Sequence, residues 1–282
     1  MKVAVVGSTG VLGRQVTARL IERGHRVSVL VRRDGRRCPI EHSRLSPVSG
    51  DIFDSAALSE LMQDADVALH LATAIPPPGP DMDWSQNDRV RREGTAKFLQ
   101  AAAHRSVAKC VVQSIAMIAP SIGDAWTTES SNVSSDSFQS AIDMEELVAQ
   151  SKIPSTVLRG GLFYGPGAKN TSAWNSLAKN GTLQLPEDGS GYVSLIHIVD
   201  MSRAFVCAVE SAVSKPLLNI VDDTPSTWSD LFGHIAREHG RTTIHSGAPR
   251  RYPNFRTSNA LAKQTLGWAP IFPSFLSGWH FE

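Results

Sequence analysis

The strongest constraint on the fold is a glycine-rich turn near the N-terminus, placed between an apolar run and an amphipathic run. Lys2–Val6 is apolar and β-branched, Gly7-Ser8-Thr9-Gly10-Val11-Leu12-Gly13 forms the turn, and Val11–Arg23 has helical periodicity. Strands of a parallel sheet are buried on both faces, so they appear as continuous apolar runs joined by helices. The order strand, glycine turn, helix predicts the first unit of an α/β fold.

The same alternation continues through the first half of the chain. Further strands are predicted at Arg26–Val31, Leu45–Val48, Val67–Leu71, Lys109–Gln113 and Ser155–Leu158. Helices are predicted after Ser55, which can cap the first of them, and at Arg89–His104 and Ile142–Gln150. Six strands with helical crossovers predict a Rossmann-like, doubly wound parallel sheet.

The rhythm changes after Gly165, where glycine, proline and asparagine become frequent. A strand is predicted at Val193–Ile198, a helix capped by Asp200 after it, and another strand at Leu217–Val221. We therefore predict a nucleotide-binding domain over residues 1–164 with parts of 193–221. A small substrate-binding lobe is predicted over residues 165–192 and 222–282.

Composition narrows the possible partners. The chain has 282 residues with 28 Lys plus Arg against 27 Asp plus Glu, a balance that argues against nucleic acid or an anionic membrane surface. No apolar run approaches the roughly 18 residues of a membrane span, and the apolar N-terminal run is too short for a signal peptide. Cys38, Cys110 and Cys207 are odd in number and far apart, which suits reduced thiols in a cytoplasmic protein. The sequence has no His-x-x-x-His or Cys-x-x-Cys pair, so no metal site is predicted.

The glycine turn has the properties of a phosphate-binding loop. Gly7 permits the tight turn, Gly10 lets the backbone approach a pyrophosphate, and Gly13 lets the helix pack close to the strand. The amides of the helix N-terminus can then hold the anion. The spacing Gly-x-x-Gly-x-x-Gly departs from the simpler Gly-x-Gly-x-x-Gly, and the alternative is a purely structural turn.

The residues after the second strand bear on the choice of dinucleotide. Arg32-Arg33 occupies the place where an acidic residue would hold the ribose 2′-hydroxyl of NAD, and Arg36 and Arg37 follow. A planar guanidinium suits a 2′-phosphate, so NADP is favoured over NAD. Asp34 as a ribose acceptor keeps NAD open, and a solvated basic loop is the plain alternative.

Six segments together resemble the extended short-chain dehydrogenase/reductases, also called the NAD-dependent epimerase/dehydratase family. They are Thr9–Gly13, Gly50–Asp54, Leu69–Thr73, Leu158–Gly167, His197–Ala204 and Leu266–Pro270. The resemblance covers nearly the whole chain and implies a Rossmann fold, a nicotinamide cofactor and a small-molecule substrate. Homodimers are common in this family, and here the contact would include the helix Arg89–His104.

The resemblance also assigns cofactor contacts by position. Thr9 to Leu12 would hold the pyrophosphate, Asp51 the adenine amino group, Ile52 the adenine ring, and Leu71 to Thr73 the path to the nicotinamide ribose. Core packing for Ile52 and Leu71, and a turn for Asp51, are the plain alternatives. With the glycines and arginines, the candidate cofactor residues are Gly7, Thr9, Gly10, Val11, Leu12, Gly13, Arg32, Arg33, Asp51, Ile52, Leu71, Ala72 and Thr73.

The catalytic pattern of the family is broken in this chain. Family members use a Ser or Thr at the end of the fifth strand and a helical Tyr-x-x-x-Lys, in which the ammonium lowers the pKa of the phenol so that it can exchange a proton with the substrate. Aligned with the family motif, Ser137 falls at the Tyr position and Ala141 at the Lys position, and a one-residue shift gives Phe138 and Ile142 instead. No tyrosine in the sequence is followed by lysine at the fourth place. Candidate catalytic residues are Ser114 at the strand end (or Ile115, one residue on), Ser137 and Tyr164. A turn role for Ser114, helix capping for Ser137 and a structural role for Tyr164 are the alternatives.

Three functions remain open from the sequence. The favoured one is an NADP-dependent oxidoreductase or epimerase-type enzyme acting on a small organic substrate with substitute acid–base groups. The second is a non-redox isomerase, cyclase or dehydratase, and the third is an NADP-sensing protein without activity. Trp84, Trp126, Trp174 and Phe163 are candidates for an apolar pocket wall or for core.

Overall fold

The computed structural model describes residues 1–32, 38, 40–76, 82–134, 136–212 and 215–280. The predicted contacts at Arg33 and Asp34, and the basic residues Arg36 and Arg37, lie outside the described residues.

The strands in chain order are β1 Lys2–Val6, β2 Arg26–Val31, β3 Leu45–Ser49, β4 Val67–His70, β5 Lys109–Ile115, β6 Trp126–Thr127, β7 Ser155–Gly160, β8 Leu162–Tyr164, β9 Gln184–Pro186, β10 Tyr192–Val193, β11 Leu195–His197, β12 Leu217–Ile220, β13 Ser226–Thr227, β14 His245–Ala248 and β15 Arg256–Thr257. The helices are α1 Val11–Glu22, α2 Ser55–Leu61, α3 Ser85–Arg89, α4 Thr95–His104, α5 Gln139–Gln150, α6 Lys169–Lys179, α7 Ile198–Glu210, α8 Trp228–Glu238, α9 Ala260–Leu266 and α10 Phe275–Gly278.

The central sheet confirms the predicted Rossmann-like fold. Its seven strands run in the order β12-β7-β5-β4-β1-β2-β3, and the pairings among β1 to β5 are parallel. The order reverses direction at β1, between β4 and β2, which is the topological switch point where α/β sheets bind ligands at their carboxyl edge. Pro47 lies in β3, an edge strand, where a missing amide donor is tolerated.

The chain divides into two compact units at residues other than those predicted. Unit 1 holds residues 1–114, 136–158 and 202–218; unit 2 holds residues 115–135, 159–201 and 219–282. The segment 115–135, which we had predicted within the nucleotide-binding domain, belongs to unit 2 because β6 pairs with β15 and the amide of Ser121 donates to the carbonyl of Asn254. These partners lie far along the chain, so local sequence patterns do not reveal them.

Three predicted helix starts need correction. The N-cap of α2 is Asp54, not Ser55, because the Asp54 carboxylate accepts the amides of Ala56 and Ala57 at 3.1 and 3.0 Å. Asp200 lies inside the first turn of α7 and is fully buried; its carboxylate accepts the amides of Ile271 and Phe272, both at 2.9 Å.

The third correction concerns α5. Ser137 lies in a 3-10 turn at residues 136–138, and the N-cap of α5 is Phe138, with no side-chain cap hydrogen bond. Ser137 is exposed. The predicted capping role of Ser137 is therefore wrong.

One long helical segment contains a local irregularity. The predicted helix Arg89–His104 is α3 and α4 joined by a π-helical turn at Val90–Gly94. Such turns widen the helix by one residue and are frequent at functional sites. Gly94 ends this turn against Ile52, since a Cβ built there would lie 2.9 Å from the Ile52 Cδ1.

No helix among the described residues is long and apolar enough to span a lipid bilayer.

Candidate functional site

The glycine turn between β1 and α1 has the geometry of a cradle. Gly7 has φ +92°, and a Cβ there would lie 2.5 Å from the Ala72 amide nitrogen. A Cβ on Gly13 would lie 2.0 Å from the Gly7 carbonyl oxygen. Both positions exclude any larger residue, so the turn keeps α1 tight against the sheet edge.

Gly10 differs from its two neighbours in the motif. Its φ is −74°, which any residue adopts, and a Cβ there would meet only the Gly7 carbonyl at 3.4 Å. Gly10 is exposed and is the N-cap of α1, so a side chain there would project into the space in front of the first-turn amides. This is the arrangement that lets a backbone approach a pyrophosphate.

A cavity of about 250 Å³ in unit 1 adjoins this cradle. Its lining contains nine of the predicted cofactor residues: Gly7, Thr9, Gly10, Arg32, Asp51, Ile52, Leu71, Ala72 and Thr73. Three other predicted residues do not line it: Val11 is half-buried at the start of α1, and Leu12 and Gly13 are buried under the turn. Arg33 lies outside the described residues.

The cavity also contains residues that sequence reasoning missed. They are Val6, Leu30, Phe53, Ala74, Gln86, Arg89 and Val90. The Arg89 guanidinium lies 4.0 Å from the centre of the Phe53 ring and bonds to Glu93 at 2.7 Å. Phe53 directly follows the predicted adenine segment, which is a usable signal, whereas Arg89 reaches the cavity only through the fold of α3.

Asp51 and Ile52 have distinct surroundings. Asp51 is exposed, and its carboxylate accepts the amide of Phe53 at 2.8 Å, which shapes the turn after β3. Ile52 is buried and belongs to the unit 1 core while it lines the cavity. The turn at Asp51 and the core packing of Ile52, the two alternatives from the sequence, are both present in a segment that lines the cavity, and the adenine contacts stay a prediction.

His70 supports the cavity from behind. The ring is buried, its Nδ1 accepts the amide of Ala72 at 3.3 Å, and its Nε2 lies 3.1 Å from the Thr95 hydroxyl. Nδ1 can accept only when the ring is neutral with its proton on Nε2. Burial, followed by the nearby Arg91, lowers the pKa of His70 to about 4, which keeps that form at neutral pH.

The titration of His70 leads to a stability prediction. The unfolded chain binds a proton near pH 6.5 and the folded chain only near pH 4, so stability contributed by neutral His70 is present above pH 6.5 and is lost as the pH falls to about 4. The full loss is about 3 kcal/mol. His70→Asn keeps an acceptor for the amide of Ala72 but does not titrate. When the free energy of unfolding is measured with urea at pH values from 7 to 4.5, its slope against pH should be smaller in the variant, by the equivalent of up to one bound proton. His197, whose pKa burial also lowers to about 4, still contributes in both proteins; an unchanged slope in the variant would contradict the assignment.

Ser114 lies at the end of β5, as predicted, but faces a carboxylate. It is 2% exposed, and its hydroxyl donates to Oε1 of Glu145 on α5 at 2.5 Å. Strand alternation places the side chain of Ile115 on the opposite face. A hydroxyl that donates to a carboxylate is not polarised as a proton donor toward a substrate oxygen.

A buried arginine organises the same face of α5. Arg91, on the π-helical turn, is buried and donates to the Ser140 hydroxyl at 3.3 Å, and Ser140 donates to Asp88 at 2.6 Å. Burial lowers the pKa of Arg91, while Asp88 and then Glu145 raise it. Ala141, at the position of the family lysine, is fully buried beside this network.

Tyr164 is packed inside unit 2. It is fully buried, its hydroxyl donates to the Ser274 carbonyl at 3.1 Å, and burial raises its pKa far above the usual range. Its ring contacts His197 and stacks on Trp279. These contacts give Tyr164 a structural role, and we do not assign it a proton-transfer role.

A second cavity, of about 260 Å³, lies within unit 2. Its wall is aromatic, with Trp174 edge-on to Trp228 at 6.0 Å and Tyr252 stacked on Trp228 at 5.9 Å. Arg250, which pairs with Glu187, and Arg251 also line it. Of the predicted pocket-wall residues, Trp174 is here, whereas Trp126 is half exposed under the guanidinium of Arg256.

The comparison with protein families decides the identity of the scaffold. The model for the NAD dependent epimerase/dehydratase family matches residues 3–220. The chain belongs to this family. The predicted recognition is confirmed, and with it a nicotinamide dinucleotide as cofactor class and an enzyme of the epimerase, dehydratase and reductase group.

Individual members of the epimerase/dehydratase family match to different degrees. A 3-diazoavenalumate denitrifying reductase from a Streptomyces species is 34% identical, and the match covers 99% of both chains. A ceramide reductase from Caulobacter vibrioides is 26% identical over 84% of this chain and 70% of its own. The structure of DesIV, a dTDP-glucose 4,6-dehydratase from Streptomyces venezuelae solved with NAD, has a TM-score of 0.83 at 21% identity, covering 99% of this chain and 94% of DesIV.

Proposed function

We propose that the protein is an NADPH-dependent reductase that replaces the nitrogen of an aromatic diazonium acid with hydride. The observation that carries this proposal is the 34% identity, over 99% of both chains, to a reductase named for denitrifying a diazo carboxylate. The missing acid–base pair supports it independently, because this chemistry has no use for that pair.

The lining of the unit 1 cavity supports the dinucleotide part of the proposal. The cradle at Gly10 would hold the pyrophosphate, Asp51 and Ile52 the adenine, and Leu71 to Thr73 the nicotinamide side. Arg32 lines the cavity directly after β2 and would hold a 2′-phosphate. When bound, the reduced cofactor supplies a hydride.

Carbonyl reduction and diazonium reduction differ in their need for a proton. A carbonyl that accepts hydride becomes an alkoxide and must be protonated, which is the task of the Tyr–Lys pair in the family. In an aryl diazonium ion the C–N bond breaks with its electron pair leaving on N2, and the hydride supplies both electrons of the new C–H bond. Atoms and charge balance without a proton, so the reaction needs no proton donor. It therefore tolerates Ser137 and Ala141 at the positions where other family members have Tyr and Lys.

The residues around Ser114 fit the same chemistry. The Ser114 hydroxyl donates to the carboxylate of Glu145. A carboxylate favours a positive charge nearby, such as that of a diazonium ion.

Turnover of an aryl diazonium carboxylate with C4-deuterated NADPH tests the proposal. We expect NADPH loss and N2 release in a one-to-one ratio, with deuterium on the ring carbon that carried nitrogen. Ser114→Ala should keep turnover within about threefold, since no proton is transferred. The Gly13→Ala variant, in which the added Cβ displaces the turn and removes cofactor binding, measures the spontaneous decay of the diazonium ion.

The other outcomes separate the alternative functions. Consumption of NADPH with ketones or aldehydes, but none with the diazonium ion, would identify an ordinary carbonyl reductase with substitute acid–base groups. Conversion of a substrate without net NADPH change would identify a non-redox enzyme. Cofactor binding without turnover of any compound would favour the sensing protein.

A further inference from the structure

A cluster of three metal-binding side chains lies in unit 2, apart from both cavities' linings. His234 and Glu238 are four residues apart on α8, so they share one helix face, and His280 follows α10. One ligand atom from each of the three lies within 4.8 Å of the other two. The His280 Nε2 lies 3.1 Å from the Glu238 Oε2.

The three side chains offer a cation one buried donor atom and two exposed ones. The Nε2 atom of His234 is buried and has no hydrogen-bond partner among the described residues, although a buried polar atom normally has one. Glu238 and His280 are exposed, so an ion can enter from solvent. The ring of His234 packs edge-on against Phe275 at 5.4 Å between centroids, and its centroid lies 6.3 Å from that of His280.

The charge around the cluster favours a dication. Glu238 is the last residue of α8, where the helix dipole places partial negative charge. Arg237 is the opposing charge, but its guanidinium lies along the helix near Gly233.

We propose that His234, Glu238 and His280 bind a borderline transition-metal dication, with Zn²⁺ as the ion that two imidazoles and one carboxylate suit best. Three protein ligands and one water complete a tetrahedral site of this type. The ion takes the place of the direct contact between Glu238 and His280 and satisfies the Nε2 atom of His234. Its effect is to fasten the segment after α10 to the end of α8, so that metal binding stabilises unit 2.

Calorimetric titration of the tag-free, full-length protein with ZnCl₂ tests the site. We expect one ion per chain and a rise in melting temperature on Zn²⁺ addition, because a ligand that binds only the folded state stabilises it. His280→Ala and Glu238→Gln change exposed side chains and should weaken Zn²⁺ binding at least tenfold and remove the rise. Substituting Co²⁺ should produce the visible absorption of a tetrahedral site.

His104→Ala is the matched control, since His104 is an exposed histidine at the end of α4. It should leave Zn²⁺ affinity and the melting shift unchanged. Equal Zn²⁺ affinity in the wild-type and His280→Ala proteins, or binding without one-to-one saturation, would overturn the proposal. Because none of these readouts involves turnover, failure here is independent of the proposed reductase activity.

Discussion

Gly13→Ala is expected to abolish cofactor binding and to lower the free energy of unfolding by about 3 kcal/mol, the upper end of the overpacking range. The added Cβ would lie 2.0 Å from the Gly7 carbonyl oxygen and 2.7 Å from the Ser8 Cα. Both are backbone atoms, so the first turn of α1 must move away from β1. The measurement is urea unfolding together with tryptophan quenching by NADPH.

Gly10→Ala is the matched control for this prediction. It adds the same methyl group three residues earlier, where φ is ordinary and the nearest atom is 3.4 Å away. We expect unfolding within about 1 kcal/mol of wild type, with NADPH affinity reduced at least tenfold because the methyl group enters the cradle. If Gly10→Ala binds NADPH like wild type, the pyrophosphate does not lie in this cradle.

The second large effect is expected at Arg32. Arg32→Asp should weaken NADPH binding by about 10- to 100-fold, since a hydrogen bond to a charged group contributes about 1.5–3 kcal/mol. NADH affinity should change less than about threefold or improve, because an acidic residue at this place can hold the ribose 2′-hydroxyl. Titration of the wild-type and Arg32→Asp proteins with NADPH and with NADH measures the ratio of the two affinities.

Arg26→Asp controls for net charge. Arg26 is exposed at the start of β2, whereas Arg32 follows the end of the same strand. The two substitutions therefore make the same change in net charge at opposite ends of β2. Arg26→Asp should leave the NADPH to NADH ratio unchanged. Equal losses of both dinucleotides in Arg32→Asp would refute the 2′-phosphate assignment.

Much of the scaffold was predictable because it depends on local patterns. The apolar runs at β1, β2 and β4 are buried on both faces, and each was located within a residue or so of its observed bounds. The glycines at positions 7 and 13 are required by backbone geometry that is encoded in the spacing of the motif. Helix starts were less predictable, since Ser55 and Asp54 are both capable caps and only the backbone direction selects Asp54.

For the candidate catalytic residues, too, some features are visible in the sequence and others depend on contacts between distant segments. The absence of Tyr-x-x-x-Lys is a fact of the sequence. The partner of Ser114 is not, because Glu145 reaches it from α5 across the fold. The π-helical turn at residues 90–94 packs against α5 and buries Arg91, and no local sequence pattern predicts it.

The sequence by itself determined the family, the parallel sheet, the glycine turn and the missing acid–base pair, because each depends on motifs whose residues lie close together in the chain. Only the tertiary structure decided which surroundings the distant residues receive. In the folded protein, Ser114 donates to the Glu145 carboxylate, the buried Tyr164 donates to the Ser274 carbonyl, and His280 lies beside the end of α8. The physical reason is that side-chain chemistry is set by contacts, and these contacts join segments whose separation along the chain carries no periodic signal.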